Sequence, residues 1–199
     1  HRLGSKEGLD MPHRALREHF GDALAEHVYC YGDAEALGVR QRLSAQQGIP
    51  LETMLVDAGA DSLIALALRT TCEPGETVVS TAGTYPGHLH SDSAILKLRE
   101  ALPDTCWLLL DEAYGDFRDD AGSEFAAKAI PGVIRLRTLS KAHGLAGLRI
   151  GYAIADPEVL AMMMKVRIHY AVSSLTLAAA EVVLDHSDEV HQHVADVKA

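Results

Sequence analysis

The chain has 199 residues, enough for one or two domains around a buried core. Its 18 Lys and Arg against 28 Asp and Glu leave a formal charge of −10, which argues against nucleic acid or an anionic membrane as the main partner. Hydrophobic residues at 48% and charged residues at 23% exclude wholesale disorder, and 16 Gly with 7 Pro exclude a collagen-like chain. Three cysteines, Cys30, Cys72 and Cys106, with no CxxC spacing suit a reducing cytoplasm better than a disulfide framework or a structural zinc site. No apolar run approaches a membrane span, and no signal-peptide pattern precedes the first helix. The chain opens on His1-Arg2-Leu3 without an initiator Met, so it reads as a protein entered partway.

Helices alternate with apolar strands and nothing repeats, the pattern of an α/β fold with a mainly parallel sheet. Residues 12–27 carry Ala15, Leu16, Phe20, Leu24 and His27 at helical spacing after Pro12. A turn at Tyr31-Gly32-Asp33 leads into a second helix, roughly 33–47, ended by Gly48 and Pro50. A strand from Thr53 to Asp57 and a helix from Asp61 to Thr71 follow, with Ala58-Gly59-Ala60 between them. Glu73-Pro74-Gly75-Glu76 is a turn and Thr77 to Ser80 a strand, joined through Tyr85-Pro86-Gly87 to a helix from Ser91 to Leu102. Cys106 to Leu110 is an unbroken apolar run suited to a central strand buried on both faces. Strands at Val133–Leu139 and Leu148–Ala155 come next. Asp156-Pro157-Glu158 then starts long helices reaching Asp185, one expected to bend near Ser173-Ser174.

Three polar clusters fall just past the ends of these strands, where open α/β sheets bind ligands. Gly59-Ala60-Asp61-Ser62 opens a helix on small residues, so its backbone N–H groups could seat a phosphate or simply be capped. Asp111-Glu112-Ala113-Tyr114 puts a carboxylate at the end of an apolar strand, where it needs a cation, hydrogen-bond donors or water. A Walker-B-like metal role is open to it, but no GxxxxGK[ST] loop exists to complete a nucleotide site. In Thr138-Leu139-Ser140-Lys141-Ala142-His143-Gly144, a Lys follows two hydroxyl residues, and Arg149 enters the next strand. Such a Lys can serve as an amine nucleophile, and Thr138, Ser140 and Arg149 can converge on one phosphate.

Asp111-Glu112-Ala113-Tyr114-Gly115-Asp116-Phe117 together with the run from Ser140 through Gly147-Leu148-Arg149-Ile150-Gly151-Tyr152 closely resembles the fold-type I pyridoxal-phosphate (PLP) aminotransferases, and among them the histidinol-phosphate aminotransferase branch. Weaker matches at Arg2-Leu3-Gly4-Ser5-Lys6-Glu7, Tyr31-Gly32-Asp33, Gly59-Ala60-Asp61-Ser62 and Thr84-Tyr85 extend the likeness over nearly the whole chain. The resemblance implies an aminotransferase moving an amino group from an amino acid or a histidinol-phosphate-like amine to a 2-oxo acid. Lys141 would carry the cofactor as an aldimine and shuttle a proton, and Asp111 would pair with the pyridinium nitrogen. Tyr114 would bind the ring's phenolic oxygen and Tyr85 would stack on the ring. The amides of Ala60 and Asp61, with Ser140, Arg149 and more weakly Thr138, would hold the phosphate. Tyr31 would reach the phosphate of a neighbouring subunit, implying a homodimer. The implied organisation is an N-terminal arm at 1–30, a large PLP-binding α/β domain at 31–165, and the start of a truncated smaller C-terminal domain at 166–199.

Departures accompany the likeness. The Asn-Pro-x-Asn-Pro-Thr-Gly stretch such enzymes carry is missing: Tyr85-Pro86 runs straight into Gly87-His88-Leu89-His90. Their C-terminal substrate-binding Arg has no counterpart, and Lys6 stands where Asn is common. A segment lost at 86/87 would take a strand from the middle of the sheet and expose unpaired edges. Rival readings are a PLP-dependent threonine-phosphate-type decarboxylase, a non-catalytic PLP-binding regulator domain and a plain interaction domain. The histidines, including His88, His90, His186, His191 and His193, form no ligand pattern as specific as the lysine loop, so no metal is expected. His143 is expected to pack, Met162-Met163-Met164 to serve core or interface, Arg135 and Arg137 to be solvated edge charges, and Asp185 to Asp188 to be a solvated helix break.

Overall fold

A computed structural model describes residues 21–80, 91–119 and 124–199. The helices are α1 (Asp22–Val28), α2 (Leu37–Gln47), α3 (Ala60–Thr71), α4 (Asp92–Ala101), α5 (Glu124–Ala127), α6 (Pro157–Val166), α7 (Ser174–Asp185) and α8 (Ser187–Lys198). The strands are β1 (Met54–Asp57), β2 (Leu108–Asp111), β3 (Val133–Thr138) and β4 (Gly151–Ile154), in the spatial order β1-β4-β3-β2. β2 pairs parallel with β3, while β4 runs antiparallel to both β3 and β1. Three strands therefore point one way and β4 alone opposes them, a mixed sheet.

Period-2 alternation sorts the core onto the two faces. Met54, Val56, Tyr152 and Ile154 meet Val39 and Leu43 of α2 and Leu177, Ala180 and Leu184 of α7. Leu55, Ile134, Leu136 and Ala153 meet Leu63, Leu66 and Ala67 of α3 and Val159, Leu160 and Met163 of α6. The result is three layers, with helices over both sheet faces, and each fully buried Leu or Ile contributes about 1.5–3 kcal/mol of transfer free energy.

Local chemistry sets where the helices start. Asp33 accepts the Glu35 and Leu37 N–H groups at 3.1 and 2.7 Å ahead of α2. Ser91 Oγ caps α4 by accepting the Ala94 N–H at 3.3 Å. Pro157 sits in the first turn of α6. At Ser173 the expected bend is instead a full break: its Oγ accepts the Thr176 N–H at 3.1 Å and starts a separate helix, α7. The break at Asp185 to Asp188 is present, but Asp185 is not merely solvated, since its carboxylate accepts Arg42 Nε at 2.8 Å and Nη2 at 3.0 Å. That pairing holds the Asp185 carboxyl below its ordinary range.

Other expectations are corrected. Thr77–Ser80 joins no ladder among the described residues, and Val79 is 88% exposed. The apolar run ending at Leu110 is not a central strand: β2 closes the described sheet at its edge and is half-buried. Arg135 and Arg137 are not edge charges. They are 1% and 8% exposed, because they project from β3 onto the face covered by α2 and α5, where Glu112 and main-chain carbonyls receive them. Met163 is core, whereas Met162 and Met164 are exposed.

Candidate active site

The register aligns the strand ends. Asp57, Gly151 and Thr138 lie side by side across β1, β4 and β3, and Asp111 pairs with Leu136 two residues before Thr138. The segments that follow β1, β2 and β3, and the one that precedes β4, therefore emerge at one end of the sheet. They carry Ala60 and Asp61, Asp111 and Tyr114, Ser140 and Lys141, and Arg149, so the topology brings together the residues that the sequence singled out.

The phosphate-type donors are close-set. Gly59 precedes α3 at φ +87° and offers no side-chain cap, so the N-terminal amides of the helix have no side-chain acceptor from the N-cap. That φ favours glycine, and a Cβ there would lie 3.1 Å from Arg149 Nη2, a contact the flexible guanidinium can relieve. Arg149, itself left-handed at φ 52°, donates from Nη2 to Asp61 Oδ2 at 3.0 Å and from Nη1 to the Ala146 carbonyl at 3.2 Å. Asp57 is buried and accepts the Ser62 hydroxyl and the Ala58 N–H, each at 2.7 Å, which fixes the turn from below. Thr138 Oγ1 accepts the Ser140 N–H at 3.1 Å and lies 2.8 Å from Ser140 Oγ, so Thr138 is buried behind Ser140.

Lys141 lies in the loop after β3, half-buried, with Nζ 5.4 Å from the centre of the Tyr114 ring. Asp111 is exposed at the end of β2, and one carboxylate oxygen accepts the Ala113 N–H at 2.9 Å. Tyr31 is separate from this group: its ring stacks on Tyr170 at 4.7 Å and 18°. Tyr85, Thr84, His88, His90 and the 86/87 junction lie outside the described residues. His143 is buried, with Nδ1 3.7 Å from Asp116 Oδ2. Burial pushes its pKa below the ordinary value and nearby His191 adds to that, against the pull of Asp116. Among the described residues no group of three or more His, Cys, Asp or Glu is arranged to hold a metal ion.

Sequence reasoning missed two features. One is the partnership of Tyr31 with Tyr170, which sits at φ 56° and gives no local signal. The other is a buried network of Glu112, Arg135, Arg137, Gln47 and Tyr152. Alternation with Ile134 and Leu136 put both arginines on one face of the strand, and only the remote Glu112 shows that face to be buried.

The donor set fits PLP by its chemistry: helix-end amides without a side-chain cap, a hydroxyl and a guanidinium for a phosphate, with an amine and a carboxylate just past adjacent strand ends.

Comparisons with known proteins agree with this architecture. The chain is similar to an aromatic amino acid aminotransferase of Corynebacterium efficiens, 32% identical over 175 residues, covering 86% of this chain and 51% of that protein. A histidinol-phosphate aminotransferase of Leuconostoc citreum is 28% identical over 250 residues, covering 100% of this chain and 71% of the relative. Since that alignment is longer than the 199-residue chain, some fifty of its positions have no counterpart here. The chain spans about half the length of the curated relatives it matches. Among solved structures, the histidinol-phosphate aminotransferase of Sinorhizobium meliloti in complex with pyridoxal-5'-phosphate shares the fold, with TM-score 0.78 and 24% identity over 96% of this chain and 66% of that one. The family model for aminotransferase class I and II matches residues 90–199. The chain belongs to the aminotransferase class I and II family.

Proposed function

We propose that this protein is a PLP-dependent aminotransferase that moves an amino group from an amino acid or a histidinol-phosphate-like amine to a 2-oxo acid. The observation that carries the reading is the convergence of Lys141, Asp111 with Tyr114, and the Gly59–Asp61 turn with Arg149 at one end of a single sheet. Relatives named for aromatic amino acids and for histidinol phosphate support both donor classes.

When bound, PLP supplies an electron sink for the bond broken at the substrate's α-carbon. The amides of Ala60 and Asp61, Ser140 and Arg149 would bind its phosphate, with Thr138 holding Ser140 in place. Arg149 would exchange its pairing with Asp61 for the phosphate, or share it. Asp111 would keep a proton on the ring nitrogen, and the Tyr114 hydroxyl would donate to the ring's phenolic oxygen. Lys141 Nζ would anchor the cofactor covalently, then take and return the α-carbon proton. Tyr85 would cover the ring, and Tyr31, half-exposed beside Tyr170, would serve a neighbouring subunit in a homodimer. The cytoplasm suits three free cysteines, and no described helix is long and apolar enough to cross a membrane.

Incubation with PLP followed by borohydride and peptide mass mapping tests the reading. One pyridoxyl group on Lys141, lost in Lys141→Ala while the fold persists, is the expected result. An unlabelled Lys141, or unchanged turnover in Lys141→Ala, refutes it. Release of carbon dioxide without a keto acid would move the assignment to a decarboxylase.

A further inference from the structure

Behind the Asp111–Tyr114 turn lies a charge cluster that the proposed reaction does not use. The Glu112 side chain is 7% exposed. Its Oε1 accepts Arg135 Nη2 at 2.7 Å, and its Oε2 accepts Arg135 Nε at 3.2 Å and Arg137 Nε at 3.0 Å. The remaining arginine donors are also engaged. Arg135 Nη1 donates to the Phe125 and Lys128 carbonyls at 2.7 and 3.0 Å, and Arg137 donates to Gln47 Oε1 at 3.0 Å and the Ala126 carbonyl at 2.7 Å. Tyr152 donates its hydroxyl to the same Gln47 oxygen at 3.0 Å.

The main chain of Glu112 is tied as firmly. Its N–H donates to the Leu136 carbonyl at 2.8 Å, and its own carbonyl accepts the Gly115 N–H at 2.8 Å. Residue 112 therefore joins Asp111, at the end of β2, to the turn that holds Tyr114 and, through its side chain, clamps that junction to β3. Four residues beyond Arg137 on the same chain stands Lys141. β2 has a ladder partner on one side only among the described residues, so this clamp supplies a restraint that the sheet does not. Fold support alone would be met by an apolar contact of equal volume. A carboxylate shared by two buried arginines instead fixes orientation, because both guanidinium planes must be met at once.

We propose that Glu112 is a positioning residue, whose double grip on Arg135 and Arg137 sets Asp111 and Tyr114 relative to Lys141. This rests on the PLP reading above. The test uses the PLP-loaded protein with Glu112→Gln and Arg135→Met, which remove the charge and one of the two grips respectively. Three quantities are measured: the melting point, the PLP affinity, and the pH midpoint of the bound cofactor's visible absorption. Borohydride labelling of Lys141 is followed in parallel. In the folded variants, Lys141 still takes the label, the absorption midpoint moves by about one pH unit, and PLP affinity falls about tenfold. A lowered melting point with wild-type midpoint and affinity assigns the cluster to the fold alone and overturns the proposal, as does failure of both variants to fold. An unlabelled wild-type Lys141 overturns the PLP reading and takes this proposal with it, whereas a labelled wild type beside unmoved variants overturns this proposal only.

Discussion

Gly151→Ala probes how tightly the sheet and the phosphate-type turn are joined. A Cβ at Gly151 would lie 2.6 Å from the Arg137 carbonyl oxygen, 3.2 Å from the Ala60 nitrogen and 3.2 Å from the Gly59 carbonyl carbon. All three neighbours are main chain, so none can swing aside as a side chain would. The first is β3, held to β4 through the pairs Thr138–Gly151 and Arg137–Tyr152. The other two form the turn that meets Arg149. Relief requires β4 to part from β3 or the turn to lift, and overpacking of this kind costs about 1–3 kcal/mol. For a chain of this length each kcal/mol lowers the melting point by about 2–4 °C, so a loss of roughly 4–8 °C is expected for a cost near the middle of that range. Because the displaced turn bears the amides of Ala60 and Asp61, PLP affinity should fall together with stability. Differential scanning calorimetry and a cofactor titration on the same preparation read both. A variant that melts within about 1 °C of the wild type and binds PLP equally would refute the close approach of strand and turn.

Further outcomes follow from the core and from the buried histidine. Leu43→Ala, emptying a fully buried position between α2 and the sheet, should cost about 2–5 kcal/mol in urea unfolding with little change in the slope. His143 binds a proton less readily folded than unfolded, chiefly through burial, so its contribution to stability is present above its ordinary value of 6.5 and is lost as the pH falls through and below it. The melting point should therefore drop more steeply between about pH 7 and pH 5 in the wild type than in His143→Leu; parallel pH profiles would show that the ring does not carry the effect.

The legible part of this molecule is what local pattern dictates. Short apolar stretches between turn and loop residues gave β1, β3 and β4, and Asp156-Pro157 gave the start of α6. The polar clusters stood out because each interrupts such a run at its end, which is why Asp111, Lys141 and Arg149 could be picked out by position. What was not legible depends on partners distant in sequence. Cys106 to Leu110 reads equally apolar whether its neighbour strand is present or absent, so its edge position was invisible. Arg135 and Arg137 look like solvated charges until Glu112, 23 and 25 residues earlier, is placed against them. Ser173 reads as a bend, and only the hydrogen bond it accepts from Thr176 makes it the N-cap of a new helix.

The proposed site is divided between supports of unequal firmness. β1, β3 and β4 are buried along their whole length, while β2 is half-covered and ladder-bonded on one flank among the described residues. Local opening begins where few bonds and little apolar contact must be given up. Asp111 and Tyr114 therefore rely on the Glu112 clamp where the sheet gives least support, and Lys141 follows a strand buried along its whole length. A gently destabilised molecule would keep its amine in register while losing the carboxylate beside it, and so could be chemically tagged by an aldehyde yet remain unable to turn over. Tagging and turnover should accordingly fail at different points as denaturant rises, with hydrogen exchange at Leu108–Asp111 running ahead of exchange at Val133–Thr138.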